Sequence, residues 1–150
     1  MTKPRKKKLI GSTDKIDLPE LDLENVACKI DTGAATSTMH CRDLHLLEKD
    51  GEEFLCFKLY EPQFHIFTQK EYRFKVFKER KVRSSNGYLD LRYSIKTPVV
   101  IMGRKINTEF TLSFRDSMRF PILLGKRFLK NRFIVDVSLD DVNHQQKEKK

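Results

Sequence analysis

The run Val26-Ala27-Cys28-Lys29-Ile30-Asp31-Thr32-Gly33-Ala34-Ala35-Thr36-Ser37 changes character at its midpoint. Up to Ile30 it reads as a strand, because Val26, Cys28 and Ile30 alternate with Ala27 and Lys29. From Asp31 onward it reads as a tight loop: a carboxylate, a hydroxyl, a glycine, then small or hydroxylated residues. These types suit a carboxylate directed into a cleft. Gly33 permits a sharp turn and leaves its N–H free to hold the Asp31 carboxylate, and the Thr32 hydroxyl can brace the loop. Asp-Thr-Gly alone is more often an ordinary turn after a strand, since Asp and Gly are common turn formers. A second signal is needed.

That signal is Phe120-Pro121-Ile122-Leu123-Leu124-Gly125-Lys126-Arg127-Phe128-Leu129, an apolar strand ending in glycine and followed by a short basic, apolar run. Between the two lies Arg83-Ser84-Ser85-Asn86-Gly87-Tyr88, whose Asn-Gly pair makes positive φ easy and marks a hairpin turn. In this order the segments resemble the bacterial retropepsin-like aspartic peptidases, a family often labelled "ATP-dependent zinc protease" and similar to retroviral proteases. The resemblance covers residues 18–138 and is most specific over 29–36, 82–93 and 111–129. It implies an all-β fold: a small closed barrel with a flap hairpin and one short C-terminal helix. It also implies a catalytic loop of Asp31, Thr32 and Gly33, supported by Leu124 and Gly125 as the second segment crosses it. Ala34 and the flap residues Ser85, Asn86 and Gly87 are the expected substrate contacts. Arg83, Arg92 and Arg115 flank the expected flap and cleft, where guanidinium groups suit carboxylate recognition. Family members often occur with an enzyme that adds glutamates to proteins or peptides, which suggests acidic or glutamate-tagged peptide substrates. One departure is Ala35, where the family commonly carries a basic residue.

Aspartic proteases need two carboxylates sharing a proton, one acting as base on water and the other polarising the scissile carbonyl. The chain has one Asp-Thr-Gly, and Val135-Asp136-Val137-Ser138 lacks the glycine and reads as an ordinary strand. As in retroviral proteases, the second carboxylate is expected from a second copy of Asp31 across a two-fold axis. The expected partners are therefore a peptide or protein substrate and a second copy of the chain.

Composition bounds the alternatives. One domain is expected from 150 residues, and the formal charge is +9. Five cations fall in residues 1–8 and a net +2 in residues 143–150, which leaves +2 for the remainder. The domain is expected over 18–138, with residues 1–17 a basic disordered tail and 139–150 a polar one. Cys28, Cys41 and Cys56 form no close pair, which fits reduced thiols and a cytoplasmic location. The N-terminal cations are not followed by an apolar run, so neither a signal peptide nor a membrane partner is expected. ATP binding would call for a Gly-x4-Gly-Lys-Ser/Thr loop, which Gly125-Lys126-Arg127 does not make. A hydrolytic zinc would call for a His-Glu-x-x-His cluster, which His40, His45, His65 and His144 never form. No metal or cofactor is expected. His40-Cys41 with His45 is read as packing or surface.

Strands are expected over 38–48 and 52–60 around Lys49-Asp50-Gly51, over 71–83, from Tyr88 to Ile95, and in a hairpin of 98–103 with 105–115. Residues 126–131 form the only helical stretch in this reading. Two other function classes remain: a non-catalytic peptide-binding dimer on the same barrel, and a nucleic-acid module using the cations from Lys70 to Arg83. The second is disfavoured because Tyr72, Phe74 and Phe77 fall in a core-like alternation rather than among exposed stacking rings.

Overall fold

The computed structural model describes residues 6–61, 66–67, 70–83, 87–114 and 119–149. Its elements in order are β1 (Lys8–Ile10), β2 (Thr13–Leu18), a 3-10 turn (Pro19–Leu21), β3 (Leu23–Ile30), β4 (Ser37–Lys49), β5 (Glu52–Glu61), β6 (Ile66–Phe67), β7 (Tyr72–Phe74), β8 (Lys78–Arg83), β9 (Leu89–Ile101), β10 (Arg104–Ser113), β11 (Ile122–Leu124), α1 (Lys126–Leu129), β12 (Phe133–Val135) and α2 (Val142–Glu148). Neighbouring strands run β10-β9-β2-β3-β11-β4, and β4 pairs with β10 in parallel from Ser37↔Phe110 to His40↔Ser113. That last pairing closes a six-stranded barrel. Alternating burial along β2 and β10 directs Ile16, Leu18, Phe110 and Leu112 inward, where Ile95, Ile101, Ile122 and Leu124 join them. The all-β closed barrel expected from sequence is the fold observed.

Two hairpins follow from their turns. Asp50 and Gly51 both have positive φ (53° and 79°), the primed turn that two twisted strands require, and join β4 to β5. Met102 and Gly103 (52° and 72°) do the same for β9 and β10, which merge the expected strand from Tyr88 with the first arm of the next hairpin. The stretch 71–83 differs from expectation: it is two strands, not one. β7 pairs with β5 and β8 with β9, and Val76 between them is 84% exposed. Alternation in sequence continued across a point where the chain changes partners.

The expected disordered tails also need correction. β1 pairs in parallel with β12, and β2 lies between β3 and β9 in the barrel wall. At the other end α2 docks through buried polar groups. The carboxylate of Asp14, itself buried, accepts the backbone N–H of Asn143 (2.9 Å) and of His144 (3.1 Å). The Asn143 side chain accepts the Met102 N–H (2.7 Å) and donates to the Lys15 carbonyl (2.6 Å). Residues 139–140 run so close to Gly11 that any β-carbon there would collide with the Leu139 carbonyl. Polar composition made these ends resemble tails, whereas their polar groups are partners of one another.

Candidate active site

Asp31 leaves the end of β3 and enters the loop before β4. Its own N–H donates to the Leu124 carbonyl (2.9 Å), extending the parallel β3–β11 ladder by one step. β11 is threaded between β3 and β4, pairing with Cys28 to Ile30 on one side and with Met39 and Thr38 on the other. The loop therefore hangs on a strand that passes directly beneath it. Gly33 donates its N–H to the Asp31 carboxylate (3.0 Å), as its position in sequence implied, and Asp31 is half-buried while Thr32 and Gly33 are exposed.

Gly125 sits where β11 meets α1. Lys126 donates to the Ala34 carbonyl (2.8 Å) and Arg127 to that of Ala35 (3.2 Å), so the start of α1 holds the far side of the Asp31 loop. A β-carbon on Gly125 would lie 2.5 Å from the Thr36 oxygen and 2.9 Å from the Ala34 oxygen, which leaves room only for glycine. Ser37, buried at the start of β4, accepts the Gly125 N–H (3.1 Å). The sequence reading gave Ser37 no role; a hydroxyl at the strand start, among small residues, was its only signal.

The other expected site residues are less concentrated. β8 and β9 form the hairpin expected for a flap, closing with Arg83 paired to Leu89, and Gly87 takes the left-handed conformation (φ 82°). Ser85, Asn86 and Arg115 lie outside the described residues, as does the side chain of Arg83. Arg92 is half-buried and lines a cleft of about 590 Å³ with Arg42, Asp43, Leu44, Leu91 and Phe114. The cations of the stretch from Lys70 to Arg83 are largely matched by acids: Arg73 with Glu71, Lys75 with Glu52, Lys78 and Arg80 with Glu109, and Lys70 with Asp22. Asp136 is engaged elsewhere. Its carboxylate accepts both the N–H (2.9 Å) and the hydroxyl (2.6 Å) of Ser138, which hold it below the usual carboxylate range. The thiols of Cys28 and Cys41 are buried and unreactive, that of Cys41 pushed up to about 12 by burial. Among the described residues, no helix is long and apolar enough to cross a membrane.

A closed barrel whose Asp-Thr-Gly loop is carried on a threaded Leu-Leu-Gly strand defines a retropepsin-like protein. The chain belongs to the RimB-like family, described as retropepsin-like aspartic endopeptidase RimB, whose model matches residues 9–146. It is 32% identical over 133 residues to a probable alpha-L-glutamate ligase of Desulfotalea psychrophila, a match covering 89% of this chain and 29% of that protein. A second, from Shewanella halifaxensis, is 32% identical over 130 residues, covering 87% and 28%. The chain thus spans less than a third of the curated relatives it matches. Its fold is similar to that of Lpg0085 from Legionella pneumophila, a protein titled as of unknown function (DUF785). That similarity has a TM-score of 0.67 at 20% identity and covers 92% of this chain and 99% of that one.

Proposed function

We propose that this chain is an aspartic endopeptidase whose active site is completed by a second copy, and that it cleaves acidic or glutamate-tagged peptides. The observation that carries this reading is the setting of Asp31. The carboxylate is half-buried on a loop pinned from both sides, and its Gly33 contact leaves it acceptor capacity for water and a second carboxylate. Asp136, the internal alternative, is committed to Ser138. In the dimer the two Asp31 carboxylates face one another and share one proton between them. The ionised one takes a proton from water as the water attacks the scissile carbonyl. The protonated one donates to the carbonyl oxygen, and a proton then passes to the leaving amide nitrogen.

Support for the dimer comes from the β1–β12 pair. Leu9 and Ile134 are register partners and 46% and 56% exposed, with Val137 beyond them at 77%. Ser12, just past β1, accepts the Ile30 N–H (2.9 Å), tying this apolar edge to the strand end that presents Asp31. Support for an acidic substrate comes from the guanidinium-lined cleft of Arg42 and Arg92, and from relatives named for glutamate ligation.

The test pairs sedimentation with cleavage of glutamate-tailed and neutral peptides by wild type and Asp31→Asn. A dimer whose cleavage falls about 10²–10⁴-fold or more in the mutant is expected. Cleavage retained in Asp31→Asn, or by a wild-type monomer, overturns the shared-aspartate mechanism. Equal cleavage of neutral peptides overturns the substrate class alone. The names of the longer relatives favour one other reading, a non-catalytic module that holds glutamyl chains; binding of the tailed peptide without turnover would select it.

A further inference from the structure

Away from Asp31, three strands bring together residues of a different chemistry. β5 lies between β4 and β7, with Cys56 paired to His45 on one side and to Arg73 on the other. Directly paired residues share a sheet face, and Glu71, two positions before Arg73, falls on that same face. The ligand-type atoms of His45, Cys56 and Glu71 lie within 4.8 Å of one another. His45 follows Ser37 by eight residues along β4, so the cluster is separate from the catalytic loop.

The arrangement is built rather than incidental. Between Arg42 and His45 three steps of β4 oppose two of β5, a bulge centred on Asp43, which has φ 56°. Bulges re-aim side chains, and this one sets His45 opposite Cys56. The His45 ring is fixed by a 2.7 Å contact between Nδ1 and the Asp43 carbonyl. An oxygen that only accepts requires the proton on Nδ1, which leaves the Nε2 lone pair facing inward. Glu71 is fixed likewise: its Oε1 accepts from Arg73 Nε (3.0 Å), and its Oε2 stands 3.9 Å from His45 Nε2. Cys56 is fully buried within the three-stranded patch.

We propose that His45, Cys56 and Glu71 form a metal site for Zn²⁺ or a chemically similar divalent ion, with water as the fourth ligand. Imidazole, thiolate and carboxylate are the ligand set zinc prefers, and three protein ligands plus water complete a tetrahedron. Tetrahedral bonds of the usual zinc lengths separate ligand atoms by roughly 3.3–3.5 Å. The 3.9 Å His45–Glu71 separation therefore needs to contract by about 0.5 Å, and no pair, all lying within 4.8 Å, by more than about 1.3–1.5 Å, within reach of side-chain rotation. The Asp43 carbonyl and the Arg73 guanidinium are the outer partners that orient such ligands. On binding, the sulfur–metal bond replaces the S–H bond of Cys56, and the proton leaves to solvent. The bound ion would staple β4, β5 and the segment entering β7.

The test uses the full chain, stripped with chelator and titrated with Zn²⁺ and with Co²⁺ as a spectroscopic stand-in. Expected are one equivalent bound per chain, a thiolate-to-cobalt charge-transfer band, and a raised melting temperature. Cys56→Ser should abolish the band. Since Cys56 is buried and its replacement bears on folding as well as on binding, His45→Ala, at an exposed position, serves beside it. His45→Ala should weaken zinc binding at least about a hundredfold, because loss of merely an outer partner already costs about 10–100-fold. Asp31→Asn should bind metal as wild type does. Absence of the thiolate band in wild type, or wild-type affinity in His45→Ala, overturns the proposal.

Discussion

Replacing Gly125 by alanine should unseat the Asp31 loop. The new methyl carbon would stand 2.5 Å from the Thr36 oxygen, 2.7 Å from the Thr36 carbonyl carbon and 2.9 Å from the Ala34 oxygen, all backbone atoms. Ordinary contact begins at about 3.4 Å, so the two segments must separate by about 0.9 Å. Two hydrogen bonds lie across that gap, Gly125 N–H to Ser37 Oγ (3.1 Å) and Lys126 N–H to the Ala34 carbonyl (2.8 Å). Leaving a buried N–H unpaired costs about 1–3 kcal/mol, and overpacking adds about 1–3 kcal/mol. The sum, about 2–6 kcal/mol, is a large share of the roughly 5–15 kcal/mol that holds a typical domain together. Urea unfolding at equal protomer concentration should show it, with a melting temperature lower by on the order of 10 °C. Gly33→Ala is the contrast. Its methyl would meet only Asp31 Oδ1, at 3.3 Å, so the fold should hold within about 1 kcal/mol while cleavage falls with the displaced carboxylate. A Gly125→Ala protein within about 0.5 kcal/mol of wild type would refute the threaded-strand account of the loop.

Three further outcomes follow from the same geometry. Asn143→Ala removes the partners of the Met102 N–H and the Lys15 carbonyl, and should cost about 2–4 kcal/mol with faster exchange at the Met102 amide; unchanged protection there would mean α2 is not riveted as described. Burial by itself would raise the Asp17 carboxyl, but Lys147 (2.8 Å) and the Asn25 N–H outweigh it and hold it below its ordinary 3.8. Its contribution to stability is therefore present above about pH 4 and lost as pH falls further, so Lys147→Met should flatten the acid side of a urea-midpoint profile, and an unaltered slope would count against the pair. Ile134→Asp places a charge on the exposed β1–β12 edge and should shift the proposed dimer to monomer in sedimentation, with loss of the proposed cleavage; a dimeric, active variant would move the interface elsewhere.

Much of the barrel was legible because its walls obey period two and its turns declare themselves. Asp50-Gly51 ended one hairpin as read, and Ile122, Leu123 and Leu124 announced a buried strand. The turn at Asp31 was legible for a related reason: Asp31 and Gly33 interact across two residues, a distance sequence displays directly. Where partners lie far apart the reading failed. Asp14 and Asn143 are polar residues that satisfy each other across 129 positions, so composition assigned both to tails. The break at Val76 was hidden because alternation reports which residues face a core, not which strand lies alongside.

By itself, then, the chain's order of residues determined a succession of strands and the Asp31–Gly33 turn, since both rest on local periodicity and a short-range contact; closure into a barrel was what the family resemblance implied. Tertiary structure alone decided that Gly125 must stay bare, that Ser37 holds it, that β2 enters the wall while β1 pairs with β12 and α2 docks on Asp14, and that His45, Cys56 and Glu71 share one face. Each of these depends on strand register, and register is set by the packing of the whole barrel against its core.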